Sequence, residues 1–178
     1  KRGDKIHITE KHKTISPILL DFDFKFNVTN SKIKRLYTND TLTKIIKTYT
    51  SILNDYIELK NYDVYVLEKK TPIIMKETIG KDGIHIVIPD VVTTPNLQYI
   101  IRTKCLDLLK PVFEELNYTN SIDDIFDECV IEKNNWLMYG SSKPDKEAYK
   151  VTKVYNVEND NITEIINSKS TDDLVELF

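Results

Sequence analysis

The stretch Ile18-Leu19-Leu20-Asp21-Phe22-Asp23-Phe24-Lys25-Phe26 reads as a β-strand. From Leu20 onward apolar and polar residues alternate strictly. Leu20, Phe22, Phe24 and Phe26 share one face, and Asp21, Asp23 and Lys25 share the other. A period of two is that of a pleated strand, and an aromatic face suits packing on one side. The polar face carries two carboxylates one strand repeat apart, with Cα atoms roughly 6–7 Å from each other. Anions that close repel unless a cation lies between them. Hard divalent cations such as Mg²⁺ prefer carboxylate oxygens combined with substrate phosphates. A strand presenting Asp-x-Asp is therefore a platform for metal-assisted phosphoryl or nucleotidyl transfer. The commoner role of such a pair is solvated charge on the open side of a sheet, so the rest of the chain has to decide between the two.

The 178 residues suffice for one domain with a sizeable core. No apolar run approaches the roughly 18–20 residues of a membrane span, and no secretory signal is visible. The chain begins at Lys1 rather than Met, and we expect a piece of a longer protein. Cys105 and Cys129 are isolated, with no Cys-x-x-Cys or Cys/His cluster, which argues against structural zinc. Sparse cysteine fits a reducing, intracellular setting. His7 and His12 lie in a charged stretch and read as surface residues. A net charge of −3 excludes a duplex-DNA binder that works by overall basic charge. Nucleic acid would need a local basic groove, bound metal or neighbouring domains.

Residues 1–14 are polar and without periodicity, and are expected as a flexible lead-in or at most an edge element. The Asp-x-Asp strand covers about 16–28, followed by a loop over 29–39. Asn39 or Asp40 is expected to cap a helix to about 59, whose stripe is Leu42, Ile45, Ile46, Tyr49, Ile52, Leu53 and Tyr56. A strand over 62–69 ends before Pro72. Gly80-Lys81-Asp82-Gly83 reads as a turn that leads into a short strand from Ile84 to Ile88. A second helix over about 96–117 carries Leu97, Ile101, Cys105, Leu108, Leu109, Val112 and Leu116 on one face, and Pro111 either kinks or divides it. Cys105, on the apolar stripe, reads as a core residue. Residues 126–131 and 136–139 read as extended, and 148–157 as a strand. From Ile162 the chain is expected to be helical.

Three segments qualify to share a site: Asp21/Asp23, then Lys81-Asp82-Gly83-Ile84-His85, then Asp127 with Asn134-Asn135-Trp136 and Ser141-Ser142-Lys143. His85 projects from its strand opposite Ile84 and Ile86. It is either a satisfied histidine on a solvated face or a donor to a phosphate, with Gly83 leaving room for the ligand.

These residues resemble the archaeo-eukaryotic primase superfamily, and especially the primase-polymerase domain joined to a helicase in nucleocytoplasmic large DNA viruses. Leu20-Asp21-Phe22-Asp23 matches its acidic pair at the end of a strand. Gly83-Ile84-His85 matches its small residue, spacer and histidine, within a Lys81 to Ile86 run like that of the viral branch. Phe126-Asp127 matches its single later Asp, and Ser141-Ser142-Lys143 its Ser-Ser-Lys. Asn135 and Leu137 stand near positions where eukaryotic relatives carry arginine, and Gly83 replaces a serine common elsewhere. The similarity spans about residues 16–155.

The resemblance implies an α/β (α+β) fold: a mixed or largely antiparallel sheet holding the motifs, with two helices packed on it. It implies a DNA primase or primase-polymerase that adds NTP or dNTP on a single-stranded DNA template. Asp21, Asp23 and Asp127 would hold two Mg²⁺ or Mn²⁺ ions, and His85, Lys143, Ser141 and Gly83 would form the nucleotide pocket. Trp136 and Tyr139 are equally suited to stacking on a base or to core packing. Residues 15–158 would be the catalytic domain and 159–178 a helical segment leading to a further domain. A helicase domain in the same chain is the expected partner, and the host cytoplasm or nucleus the expected location if the chain is viral. The competing readings are another metal-dependent phosphotransfer enzyme such as a nuclease, and an inert nucleic-acid-binding module. No Gly-x-x-x-x-Gly-Lys loop is present, so the segment is not itself a P-loop ATPase.

Overall fold

In chain order the elements are β1 (Thr9–Glu10), β2 (Ser16–Asn27), α1 (Asn39–Asn54), β3 (Asn61–Glu68), β4 (Ile73–Lys76), β5 (Ile79–Thr93), α2 (Pro95–Glu114), the single turns α3 (Ile122–Ile125) and α4 (Cys129–Glu132), β6 (Trp136–Leu137), β7 (Lys150–Glu158), β8 (Asn161–Ile165) and α5 (Thr171–Leu177). The computed structural model describes residues 7–28, 33–76 and 78–178. The part of the expected lead-in over 1–6 and the part of the expected loop over 29–32 lie outside the described residues.

The fold is mixed α and β, built on an antiparallel sheet of order β2-β5-β3-β7-β8 with β4 added against β5. The strict alternation of β2 dictates its two faces. Ile18, Leu20, Phe22 and Phe24 are buried under α1 and α2, together with Val64, Val66, Ile84, Ile86 and Ile88 from the neighbouring strands. Helix α1 contributes Leu42, Ile45, Ile46, Tyr49 and Leu53, and α2 contributes Ile101, Cys105, Leu109 and Phe113 at intervals of four. Cys105 is fully buried, and burial pushes its thiol up to about 12, so it is packing material and not a nucleophile. The opposite face carries a second cluster of Leu19, Tyr65, Leu67, Val87, Val130, Trp136 and Leu174, closed at one end by α5.

Several local expectations are corrected. Gly80 to Gly83 is not a turn but the start of the 15-residue strand β5, every residue of it up to His85 paired with β2. The glycines mark close approaches instead: a Cβ at Gly80 would lie 2.5 Å from the Phe26 ring. Pro89 is accommodated because the β2–β5 register jumps from Ile18↔Ile88 to Pro17↔Val92, leaving it in a bulge. Residues 161–165 form a strand rather than a helix, because Asn159 and Asp160, both at positive φ, reverse the chain tightly and return β8 onto β7. Phe126 makes only a single bridge to Phe22 before α4 begins, so 126–131 is not a strand.

Thr38, not Asn39 or Asp40, caps α1, in a reciprocal box with Thr41. Helix α2 does not divide at Pro111 and continues to Glu114. Leu108 is 60% exposed and Tyr56 40% exposed, off the faces expected for them. Residues 9–10 form an edge element paired with β6. His7 is exposed, yet its Nδ1 meets the Ser142 carbonyl, while His12 Nε2 is buried. Among the described residues no helix is long and apolar enough to cross a membrane.

A buried charged network ties residues 33–37 to the sheet. Arg35 donates to Asp82 at 2.9 Å, to Glu68 at 2.6 Å and to the Lys69 carbonyl at 2.7 Å. Tyr37 donates to the same Glu68 oxygen at 2.7 Å, and Thr152 to the other. Asp82 also accepts the Gly83 N–H, one residue from the spacer of the Gly-x-His motif. Glu68 and Asp82 are buried on the helix-covered face of the sheet, where unpaired carboxylates would be costly.

Candidate active site

Antiparallel register, not sequence proximity, assembles the open face. It sets His85 opposite Asp21, Gly83 opposite Asp23 and Lys81 opposite Lys25. His85 Nε2 lies 3.6 Å from Asp21 Oδ1, and Lys81 Nζ lies 2.6 Å from Asp23 Oδ2. Among the described residues, Asp21 Oδ1 is buried with no hydrogen-bond partner.

The third acidic residue arrives by a separate route. Phe126 stacks on Phe22 with ring centroids 4.5 Å apart, so the apolar residue inside the Asp-x-Asp pair grips the one preceding Asp127. The peptide joining Phe126 to Asp127 is then held from both ends. Its N–H donates to the Asp21 carbonyl at 3.0 Å, and its C=O accepts from Arg102 Nε at 2.8 Å and Nη2 at 2.6 Å. Asp127 Oδ1 takes the Cys129 N–H at 2.8 Å and starts α4.

A cavity of about 340 Å³ opens over this face, with Asp21, Asp23, His85, Ser141, Lys143 and Tyr149 among its walls. Asp127 faces an adjoining cavity of about 630 Å³ that shares Asp23 and Lys81 with the first. Gly83 lies beneath Tyr149. The Ser141 hydroxyl is buried and accepts the Ile8 N–H at 3.4 Å. Trp136 is 5% exposed and packs on the His85 ring at 4.4 Å. Tyr139 turns away to Phe178 and accepts the Val151 N–H, which makes it packing rather than a stacking platform.

The electrostatics divide this region into two halves. Burial, then the charges of Asp23 and Asp127, raise the Asp21 carboxyl well above the usual range, with Lys81 and Lys143 opposing. Burial, then Lys81, Lys143 and Lys146, lower Lys69, although Asp23 opposes. One end is overfull of negative charge, and the other is overfull of positive charge. Burial and Lys69, Lys81 and Lys143 push His85 down to about 3, so its ring is neutral at physiological pH and has one N–H to donate.

Among the described residues no three His, Cys, Asp or Glu side chains converge tightly enough to hold a metal ion as they stand. The reason is visible in the side chains: Asp23 is turned to Lys81, and Asp127 to the α4 backbone. The donor set nevertheless fits a hard cation. It consists of carboxylate oxygens, one of them buried and unpartnered among the described residues, next to a second carboxylate that an ammonium now neutralises.

Residues 1–155 match the family model described as the C962R protein N-terminal AEP domain, AEP being archaeo-eukaryotic primase. The chain belongs to the archaeo-eukaryotic primase family. It is similar to "Putative helicase L207/L206" of Acanthamoeba polyphaga mimivirus, at 39% identity over 145 residues, covering 79% of this chain and 15% of that protein. It is also similar to "Putative helicase 184R" of Invertebrate iridescent virus 6, at 26% identity over 178 residues, covering 86% of this chain and 18% of that protein. The chain thus spans less than a fifth of either relative's length.

Several residues of this candidate site carry no sequence signal: Lys69, Lys146, Tyr149 and Arg102, and Lys81 beyond its place in the motif. Each reaches the site through strand register or across the sheet from another element, for which the sequence carries no local signal. Arg102 is the most consequential. Its side chain is 7% exposed and fixes the peptide leading into Asp127. Arg102→Met is expected to lower stability by about 2–3 kcal/mol, because it leaves a buried carbonyl without its charged donor. Thermal melting checks that loss. Any metal-dependent chemistry should fall further than the stability loss explains.

Proposed function

We propose that this domain is the primase-polymerase unit of a larger replication protein, joining nucleoside triphosphates on a single-stranded DNA template. The observation that carries this reading is the divided charge of one cavity: crowded carboxylates beside crowded lysines. That arrangement complements a metal–triphosphate, in which cations meet the acids and phosphate oxygens meet the lysines. Asp21, Asp23 and Asp127 would hold two Mg²⁺ or Mn²⁺ ions. When bound, the ions would make the attacking 3′-hydroxyl more acidic and steady the pyrophosphate leaving group.

The protein's own groups do the rest. Lys143 places a point charge on the triphosphate, Ser141 offers its hydroxyl hydrogen, and neutral His85 donates its ring N–H without competing for the metal as a cation. Lys81 leaves Asp23 for the phosphates when the carboxylate is needed, and Lys69 and Lys146 close the basic side. The helicase names of the two relatives, and the small share of them that this chain covers, support a helicase domain in the same polypeptide. The viral source of the same relatives supports a viral replication role, exercised in the host cytoplasm or nucleus.

Binding of a non-hydrolysable nucleoside triphosphate tests the reading. Wild type should bind it in the presence of Mn²⁺, and Lys143→Ala should weaken binding by about tenfold or more. Binding that ignores both the metal and Lys143 would overturn it.

A further inference from the structure

We propose that Tyr149 is a substrate-binding residue of this site, its hydroxyl standing in the space left by the missing side chain of Gly83 to donate a hydrogen bond to the incoming triphosphate. The inference rests on the nucleotide-binding reading above and adds a ligand contact to it. Tyr149 immediately precedes β7, a strand that pairs with β3 and not with β5. It nevertheless reaches past the end of β3 to the Gly83–His85 segment. A Cβ built on Gly83 would stand 2.4 Å from the Tyr149 hydroxyl oxygen and 3.1 Å from Asp23 Oδ1. At the first distance any side chain at position 83 would force the phenol to move, so the glycine and the tyrosine are sterically matched. The hydroxyl is thereby delivered beside the carboxylate pair.

The ring is fixed as firmly as its hydroxyl. It stacks on His85 with centroids 3.5 Å apart and planes 18° from parallel, and Lys69 Nζ sits 4.6 Å above it. The aromatic plane thus joins the motif histidine to a lysine of the basic wall. A phenol is neutral throughout the physiological range, so this hydroxyl carries a hydrogen to donate. Among the described residues that hydroxyl has no hydrogen-bond acceptor, although it lines the cavity with His85 and Lys143. A half-buried hydroxyl without an acceptor among the described residues, on the wall of a cavity shared with His85, Lys143 and the two carboxylates, is placed for a metal-bound anionic ligand.

The test is a double-mutant cycle read by Mn²⁺-dependent binding of a non-hydrolysable nucleoside triphosphate, with melting of the metal-free protein alongside. Tyr149→Phe keeps the stack on His85 and removes only the donor, and should weaken binding roughly tenfold with an unchanged melting temperature. Gly83→Ser should weaken binding and lower the melting temperature, because its Cβ displaces the phenol. The pair Gly83→Ser/Tyr149→Phe should melt above Gly83→Ser and bind within about threefold of wild type, the serine hydroxyl replacing the phenol. Should Gly83→Ser fail to fold, Gly83→Ala with and without Tyr149→Phe gives the same steric comparison. Wild-type affinity in Tyr149→Phe, or a double variant carrying the product of both defects, would overturn the proposal. A wild type that binds no triphosphate would instead overturn the reading beneath it, and this inference with it.

Discussion

Asp21→Asn is expected to raise the melting temperature of the metal-free protein while lowering its metal-dependent chemistry by more than about a hundredfold. Loss of a group that merely supports a metal ligand costs roughly 10–100-fold, and a direct ligand costs more. The stability gain follows from the cause of the Asp21 shift: burial first, then repulsion from Asp23 and Asp127. A carboxyl raised in the folded state contributes stability below its unfolded value of about 4, and that contribution is lost as pH rises through the folded value. At neutral pH wild type therefore carries an ionised group that the fold disfavours, and asparagine relieves it. Relief of this kind is typically about 1 kcal/mol, or about 2–4 °C for a domain of this size. Melting curves from pH 4 to 8 should show the gap between variant and wild type widening with pH. Saturating Mn²⁺ should narrow or invert it, because the metal stabilises only the carboxylate form. A variant that melts well below wild type throughout would contradict this account of the site.

Arg35→Ala should give the largest loss of stability, about 3–5 kcal/mol, with the lower end favoured because the guanidinium is 28% exposed. Glu68 and Asp82 would remain buried on the core side without their cation. Burial already raises Asp82, and Arg35 is the main force opposing that rise. With the arginine gone the raised Asp82 takes up a proton more readily. The deficit should therefore shrink as pH falls toward the ordinary carboxylate range. Chemical denaturation as a function of pH measures it. Adding Glu68→Gln and Asp82→Asn to Arg35→Ala should recover part of the loss, since the cost lies in the unpaired charges and not in the missing side chain. Asp82 holds the Gly83 N–H, so nucleotide affinity should also fall in Arg35→Ala.

The strand bearing Asp21 and Asp23 was legible because its signal is local: a period of two over consecutive residues, with one face fully aromatic or aliphatic. The helices were legible for the same reason at a period near four. Gly80 and Gly83 misled because glycine marks both turns and close approaches, and only the ring of Phe26 and the phenol of Tyr149 show which applies here. The weak helical pattern from Ile162 is outweighed by Asn159-Asp160, a hairpin signal that returns β8 onto β7. The motif residues converge, with Asp21, Asp23, His85, Ser141 and Lys143 on one cavity and Asp127 on its neighbour. Their supports were invisible, since Arg102, Arg35 and Tyr149 act across 24, 47 and more than 60 positions of chain and leave no pattern in any window.

Nucleotide incorporation on a single-stranded DNA template, with and without primer and with Mg²⁺ or Mn²⁺, tests the central claim most directly. Wild type should give template-directed product that Asp21→Ala/Asp23→Ala does not, and the primer-free reactions would show whether it starts chains. Product of equal yield from both proteins, or no product from wild type together with no metal-dependent triphosphate binding, would contradict it.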